Sequence, residues 1–158
     1  MRRSKGFSLI ELLIVVAIIL IIAAIAVPSF LRSRIVAAES SAVASVRTVN
    51  TAQISYNSAY PTVGFASTLG ALGGTSCTPP NSAGACLIDS VLAAGQKNGY
   101  SFTVSNVTGT PNSTYNAIAS PVVWDYSGMH YFCSYEDAVV RVSATAITTC
   151  DNTVPPQN

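Results

Sequence analysis

The chain has 158 residues, enough for one domain plus an extended element, and only 9% of them are charged, far below the ~25% of an average soluble protein. A formal net charge of +1 gives no electrostatic footprint for nucleic acid, and no nucleic-acid site is evident. One histidine, His130, and no nucleophile–base or acid–base set exclude the usual enzyme constellations, so the chain reads as non-enzymatic and without a cofactor.

The first element dominates the chain. Leu12 to Val27 contains no polar residue, and from Phe7 to Leu31 the only charge is Glu11. As helix, Phe7 to Leu31 is ~37 Å long, enough to cross a bilayer. Arg2, Arg3 and Lys5 precede it and hold that end in the cytoplasm by the positive-inside rule. A carboxylate in such a segment costs about 2.5–3.5 kcal/mol on insertion scales, so Glu11 is expected to have a partner. Pro28 removes a backbone donor and clashes with the preceding turn, which predicts a kink.

The run Gly6-Phe7-Ser8-Leu9-Ile10-Glu11, with its basic leader and long apolar continuation, resembles the class III signal of type IV pilins and type II secretion pseudopilins. Pro28 also matches a proline found near the end of that family's apolar stretch. The close resemblance covers roughly the first thirty residues. It implies that a membrane prepilin peptidase cuts between Gly6 and Phe7, that Phe7 is then N-methylated, and that Glu11 is the assembly residue. The physics agrees. Cleavage frees an amine on Phe7 with a reference pKa of ~7.7–8.0, a cation that Glu11 can neutralise in an apolar setting. Between copies, the amine of an incoming chain meets the carboxylate of one already docked, which fixes the axial register. Losing Arg2, Arg3 and Lys5 takes the formal charge from +1 to −2.

Three plainer readings compete. An ordinary signal peptide finds a small-x-small site in Ala24-Ile25-Ala26, but the run is long, carries Glu11 and continues as helix. A plain single-pass anchor explains the length and leaves Glu11 unexplained. As a carboxylate near a helix N-terminus, Glu11 gains only ~0.3–1 kcal/mol, which is compatible with an assembly role.

Beyond Pro28 the pattern turns amphipathic. Leu31, Ile35, Ala38, Ala42, Val46, Val49, Gln53 and Tyr56 recur at threes and fours, while Arg32, Arg34, Glu39 and Arg47 take other positions. One long helix is therefore expected from Phe7 to about Tyr56, stopping by Tyr60-Pro61. Arg32 and Arg34 read as headgroup anchors or solvated charges. Residues 62–80 are rich in Gly and Pro and predict a loop, with a short turn at 67–72. Leu87–Ala94 is a short helix candidate capped by Gly95. Strands are expected at 100–106, 114–120, 129–135 and 139–144, with a turn over 106–113. The fold class is α+β: a long N-terminal helix, membrane-spanning in its first half and amphipathic in its second, packed on a four-stranded antiparallel sheet. The division is a leader at 1–6, a transmembrane or filament-core helix at 7–30, and a globular head at 31–158.

Cys77, Cys86, Cys133 and Cys150 all lie beyond the apolar segment, and an even count on a translocated domain reads as two disulfides. Of three pairings, Cys77–Cys86 with Cys133–Cys150 closes the shortest loops. The resemblance supports the second bond, since many pilins staple their C-terminal region this way. The spacings do not suit zinc. Asp125, Glu136, Asp137 and Asp151 bring to mind the calcium sites of major pseudopilins, but no EF-hand spacing is present and no metal is assigned. Phe7, Phe30, Tyr56 and Tyr60 lie along the helix; aromatic arrays in some pilins are linked to electron transport, and packing is the ordinary reading. Asn106-Val107-Thr108 and Asn112-Ser113-Thr114 match the N-glycosylation pattern and are taken as signs of exposure.

The resemblance implies a structural subunit of a type IV pilus, polymerising through its N-terminal helix into a surface filament for adhesion, motility or DNA uptake. Its implied partners are other copies in a helical filament, the prepilin peptidase, the inner-membrane assembly machinery, and the lipid bilayer before assembly. Its implied locations are the inner membrane and then the cell surface. A type II secretion pseudopilin is the alternative within the family, and a membrane-tethered binding module that never polymerises is the alternative outside it. N-terminal sequencing of the mature chain is expected to begin at Phe7; a start at Val27 would mark a signal peptide, and one at Met1 an uncleaved anchor.

Overall fold

The computed structural model describes residues 7–74 and 79–157. The chain divides into two compact units, Met1–Arg34 and Ile35–Asn158. A single helix, α1 (Leu9–Ala59), contributes to both.

Among the described residues, nothing covers α1 in the first unit. Its large apolar side chains are all exposed, from Leu9 at 80% to Leu31 at 44%. The helix continues through Pro28 without interruption. Proline has no N–H, so the Ala24 carbonyl loses its i+4 donor there.

In the second unit the same helix carries a buried stripe: Ala42, Val46, Val49, Gln53 and Tyr56, joined by Val43, Ser45, Asn50 and Ala52. The stripe is broader than the sequence pattern suggested, and it starts later, because Ile35 and Ala38 are only partly buried and Leu31 is exposed. Serines and threonines are weak helix formers, but here their hydroxyls bond carbonyls one turn back: Ser40 to Val36, Ser45 to Ser41, Thr48 to Ala44, Thr51 to Arg47 and Ser58 to Ile54. These five hydroxyls are thereby satisfied within the helix itself.

Two short helices come next, α2 (Leu69–Leu72) and α3 (Ser90–Ala93), each begun by a side-chain cap, Thr68 to the Ala71 N–H and Asp89 to the Leu92 N–H. Five strands make one antiparallel sheet in sequence order: β1 (Gln96–Lys97), β2 (Tyr100–Gly109), β3 (Asn112–Pro121), β4 (Tyr131–Tyr135) and β5 (Arg141–Ser143). Four strands were expected. The fifth, β1, is two residues long and is folded back by the Asn98-Gly99 turn, too short to leave a period in the sequence. The turn expected over 106–113 is mostly strand. β2 and β3 run on to a hairpin at Thr110-Pro111, with register shifts between Ser105 and Gly109 that broke the alternation.

Period-two alternation sorts the faces. Phe102, Ala119, Phe132 and Val142 are register partners across four strands, and Tyr100, Tyr115 and Ala117 join Phe102, Ala119 and Phe132 in the core shared with α1. Thr103, Ile118, Cys133 and Arg141 form the next row, on the opposite face. Each large side chain fully buried in the first row stabilises the head by ~1.5–3 kcal/mol.

The most telling contacts in the core are polar. Gln53, fully buried, binds both backbone groups of Ala66: Nε2 donates to its carbonyl at 2.9 Å and Oε1 accepts its N–H at 2.8 Å. Asn50 donates to Ser134 Oγ at 2.9 Å and to the Ala138 carbonyl at 3.2 Å, and accepts the Tyr115 hydroxyl at 3.2 Å. These two amides set how the helix meets the connecting loop and the sheet. Gly128 allows a further close approach, since a Cβ there would lie 1.9 Å from the buried Tyr100 hydroxyl. Replacing Gln53 with Leu leaves the Ala66 N–H and C=O buried and unpaired; a loss of roughly 2–4 kcal/mol is expected in the urea unfolding of the head.

Candidate functional site

At the start of α1, Phe7 and Ser8 are not helical and Leu9 is the first helical residue. Glu11 is therefore the third residue of the helix. Its carboxylate accepts the Ser8 N–H at 3.3 Å, and the Leu12 N–H donates to the Ser8 carbonyl at 3.2 Å, closing the first turn. Half of a capping box is thus in place, with the acid at the third position reaching back to the N–H of the residue before the helix. The macrodipole favours the carboxylate there as well. Sequence reasoning assigned Glu11 a partner and overlooked Ser8, although Ser-x-x-Glu before an apolar run is itself a helix-start signal. Gly6 and the basic leader lie outside the described residues.

Among the described residues, no side chain buries the apolar half of α1, and by length and composition this helix can cross a membrane. Glu11 sits in the first turn, at the N-terminal end of that surface, where it accepts one local hydrogen bond.

The residues expected at the other end separate into those with structural partners and those outside the described residues. Cys133 and Cys150 form a disulfide with Cα atoms 5.9 Å apart. Closing that loop of 17 residues contributes ~3 kcal/mol in the chain-entropy model. Cys86 is also disulfide-bonded; Cys77, its partner in the sequential pairing, lies outside the described residues. His130 Nδ1 lies 2.9 Å from Glu39 Oε1, which also accepts the Met129 N–H at 2.7 Å, so the two residues fasten the β3–β4 connection to α1. Asn106 is exposed, whereas Asn112 is only half-exposed and donates to the Phe65 carbonyl at 2.8 Å; the second glycosylation match is therefore not a sign of a free side chain. Tyr56 and Tyr60 pack with ring centroids 4.9 Å apart.

Two of the four candidate calcium carboxylates have local partners. Asp151 accepts from the Thr153 N–H and hydroxyl, and Asp137 binds Arg141. Among the described residues, no three His, Cys, Asp or Glu side chains come together as a metal set.

Arg141 is the functional-looking residue that sequence reasoning missed. It is 6% exposed, donates to both Asp137 oxygens at 3.1 and 2.7 Å and to the Tyr135 hydroxyl at 2.9 Å, and stacks 4.3 Å above the Tyr135 ring. Nothing in a lone Arg within Val-Val-Arg-Val marks it as buried, because its partners come from a turn and from the tail. Burial pushes the Asp137 carboxyl up, but hydrogen bonds from Arg141 and the Val139 N–H outweigh it and hold the group below the usual carboxylate range.

Comparison with known proteins bears on the N-terminal end. Residues 1–27 match the family model for the prokaryotic N-terminal methylation motif. That match covers the run in which Gly6, Phe7 and Glu11 stand. The N-terminal segment is thus similar to those of proteins that carry this motif, type IV pilins among them. The chain is 48% identical over 54 residues to the type IV major pilin protein PilA of Myxococcus xanthus, covering 34% of this chain and 24% of that protein. It is 62% identical over 34 residues to the type IV wide pilus major component PilA4 of Thermus thermophilus, covering 22% of this chain and 26% of that one. The chain thus spans about a quarter of the length of the curated relatives it matches. No solved structure matches.

The Asp137–Arg141 pair carries its own prediction. Because the folded Asp137 pKa is depressed, its stabilisation is full above the ordinary value near 3.8 and is lost as pH falls below it. Asp137→Ala removes the charge partner of a buried guanidinium that keeps its neutral hydrogen bonds, and is expected to cost about 3 kcal/mol at neutral pH, with a smaller deficit below pH 3, by urea unfolding at both pH values.

Proposed function

We propose that this chain is the structural subunit of a type IV pilus. The observation that carries the proposal is an uncovered apolar helix with one carboxylate near its N-terminal end. A pilin-type N-terminal segment and two curated relatives named as pilus proteins support it.

The precursor sits in the inner membrane through residues 7–30. A prepilin peptidase cuts between Gly6 and Phe7, and Phe7 is methylated on its new amine. The Glu11 carboxylate, bound in the single chain to the Ser8 N–H, then also takes the amine of an adjoining copy. Two charges that are costly apart in an apolar medium become one pair, and only one stagger of the helices allows it. The assembly machinery of the inner membrane moves the subunit out of the bilayer, and the apolar face exchanges lipid for the helices of its neighbours. The heads form the surface of the filament, where they serve adhesion, motility or DNA uptake. The low charge density of the chain suits such close packing of copies.

Two substitutions separate the ion pair from the helix cap. Glu11→Leu removes both, and Glu11→Gln keeps an acceptor for Ser8 without the charge. Both variants are expected to insert into the membrane and be cleaved normally, yet yield no filaments when cells are sheared and the supernatant is inspected by electron microscopy. Normal filaments from Glu11→Gln would refute charge pairing, and absence of the native chain from sheared filaments would favour a tethered module.

A further inference from the structure

We propose that residues 150–157 are a disulfide-tethered latch closed over the β5 edge of the sheet, and that its closure keeps the heads of two copies from pairing edge to edge. The proposal concerns the head alone and stands whether or not the chain forms pili.

The outer edge of β5 would offer backbone donors and acceptors to any passing strand. The tail occupies it. The Val142 N–H donates to the Pro155 carbonyl at 3.0 Å and the Gln157 N–H to the Val140 carbonyl at 2.9 Å, with Arg141 and Pro156 as bridge partners in antiparallel sense. Alternation along the tail then decides what its own outer edge presents. The Pro155 carbonyl and the Gln157 N–H point inward, so the backbone nitrogen pointing outward between them belongs to Pro156, which has no hydrogen. The strand that covers the edge therefore lacks a donor where a further strand would dock.

Three side-chain attachments hold the latch. Cys150 is bonded to Cys133 on β4; Asn152 accepts from Arg141 at 3.3 Å and from the Tyr135 hydroxyl; and Val154 packs against the small apolar cluster of Ile118, Cys133 and Cys150. Apart from Val154 the tail brings little apolar surface, so the disulfide is its principal clamp. Closing that clamp takes two electrons and two protons from the thiols of Cys133 and Cys150. A disulfide oxidant accepts them and leaves as two thiols; a dithiol reductant reverses the step and leaves as its own disulfide.

The test uses the full chain in detergent micelles, comparing three variants with the native protein. Hydrogen exchange of the β5 peptide containing Val142 reports the latch, and light scattering reports the number of copies per particle. In Cys133→Ser/Cys150→Ser, and in a chain ending at Thr153 with the disulfide kept, β5 exchange is expected to rise at least about tenfold and the particles to enlarge. In Pro156→Val, β5 stays protected and the particles still enlarge, because the outer edge regains its donor. Exchange of β2 and β3 identifies a variant that has simply unfolded, in which case the other two decide. Protection of Val142 in the shortened chain overturns the latch. Particles of native size in the shortened chain and in Pro156→Val overturn its role against edge pairing.

Discussion

The structure depends on one imbalance: only the second half of α1 carries a buried stripe. In the second unit the helix packs on a sheet, and in the first its large apolar side chains are exposed among the described residues. An apolar helix of that length has two stable surroundings, lipid or other helices of its kind. A chain able to move between them must keep its few polar groups satisfied in both. Glu11 is the group at stake. Its hydrogen bond to the Ser8 N–H gives the carboxylate a partner that travels with it, so it is never wholly bare in the single chain.

The head solves a different problem, that of fixing a helix on a sheet with little charge to spend. Buried amides do the work that ion pairs do elsewhere. Gln53 grips both backbone groups of Ala66, and Asn50 reaches β3, β4 and the turn after β4 through three hydrogen bonds. Such contacts contribute only ~0.5–1.5 kcal/mol each when made and cost more when broken, so they act mainly by excluding other registers. On the opposite face of the sheet, Arg141 plays the corresponding part for the tail. It binds the turn through Asp137 and the tail through Asn152, beside the Cys133–Cys150 bond, and its stacking on Tyr135 covers the guanidinium face.

How much was legible in the sequence varied with the distance over which each feature is determined. The long helix, its apolar first half and the stripe around Val46, Val49 and Gln53 follow from composition and period within a single segment. So does the likeness to pilin N-termini, because leader, Glu11 and apolar run are contiguous. The hairpin between β2 and β3 was misplaced because its register shifts disturb the alternation that marks strands, and β1 was missed because two residues have no period. Ser8 was legible and went unread.

By itself the sequence determined that the chain begins with an apolar helix bearing one acid, that a head rich in small polar residues comes after it, and that four cysteines lie in that head. These are local properties, set by which side chains stand next to which. Only the tertiary structure decided that Asn50, Gln53 and Arg141 are buried, that His130 meets Glu39, and that a polar tail closes the last edge of the sheet. Each of those depends on residues brought together from distant parts of the chain, and a buried polar residue looks the same in sequence as a solvated one until its partner arrives.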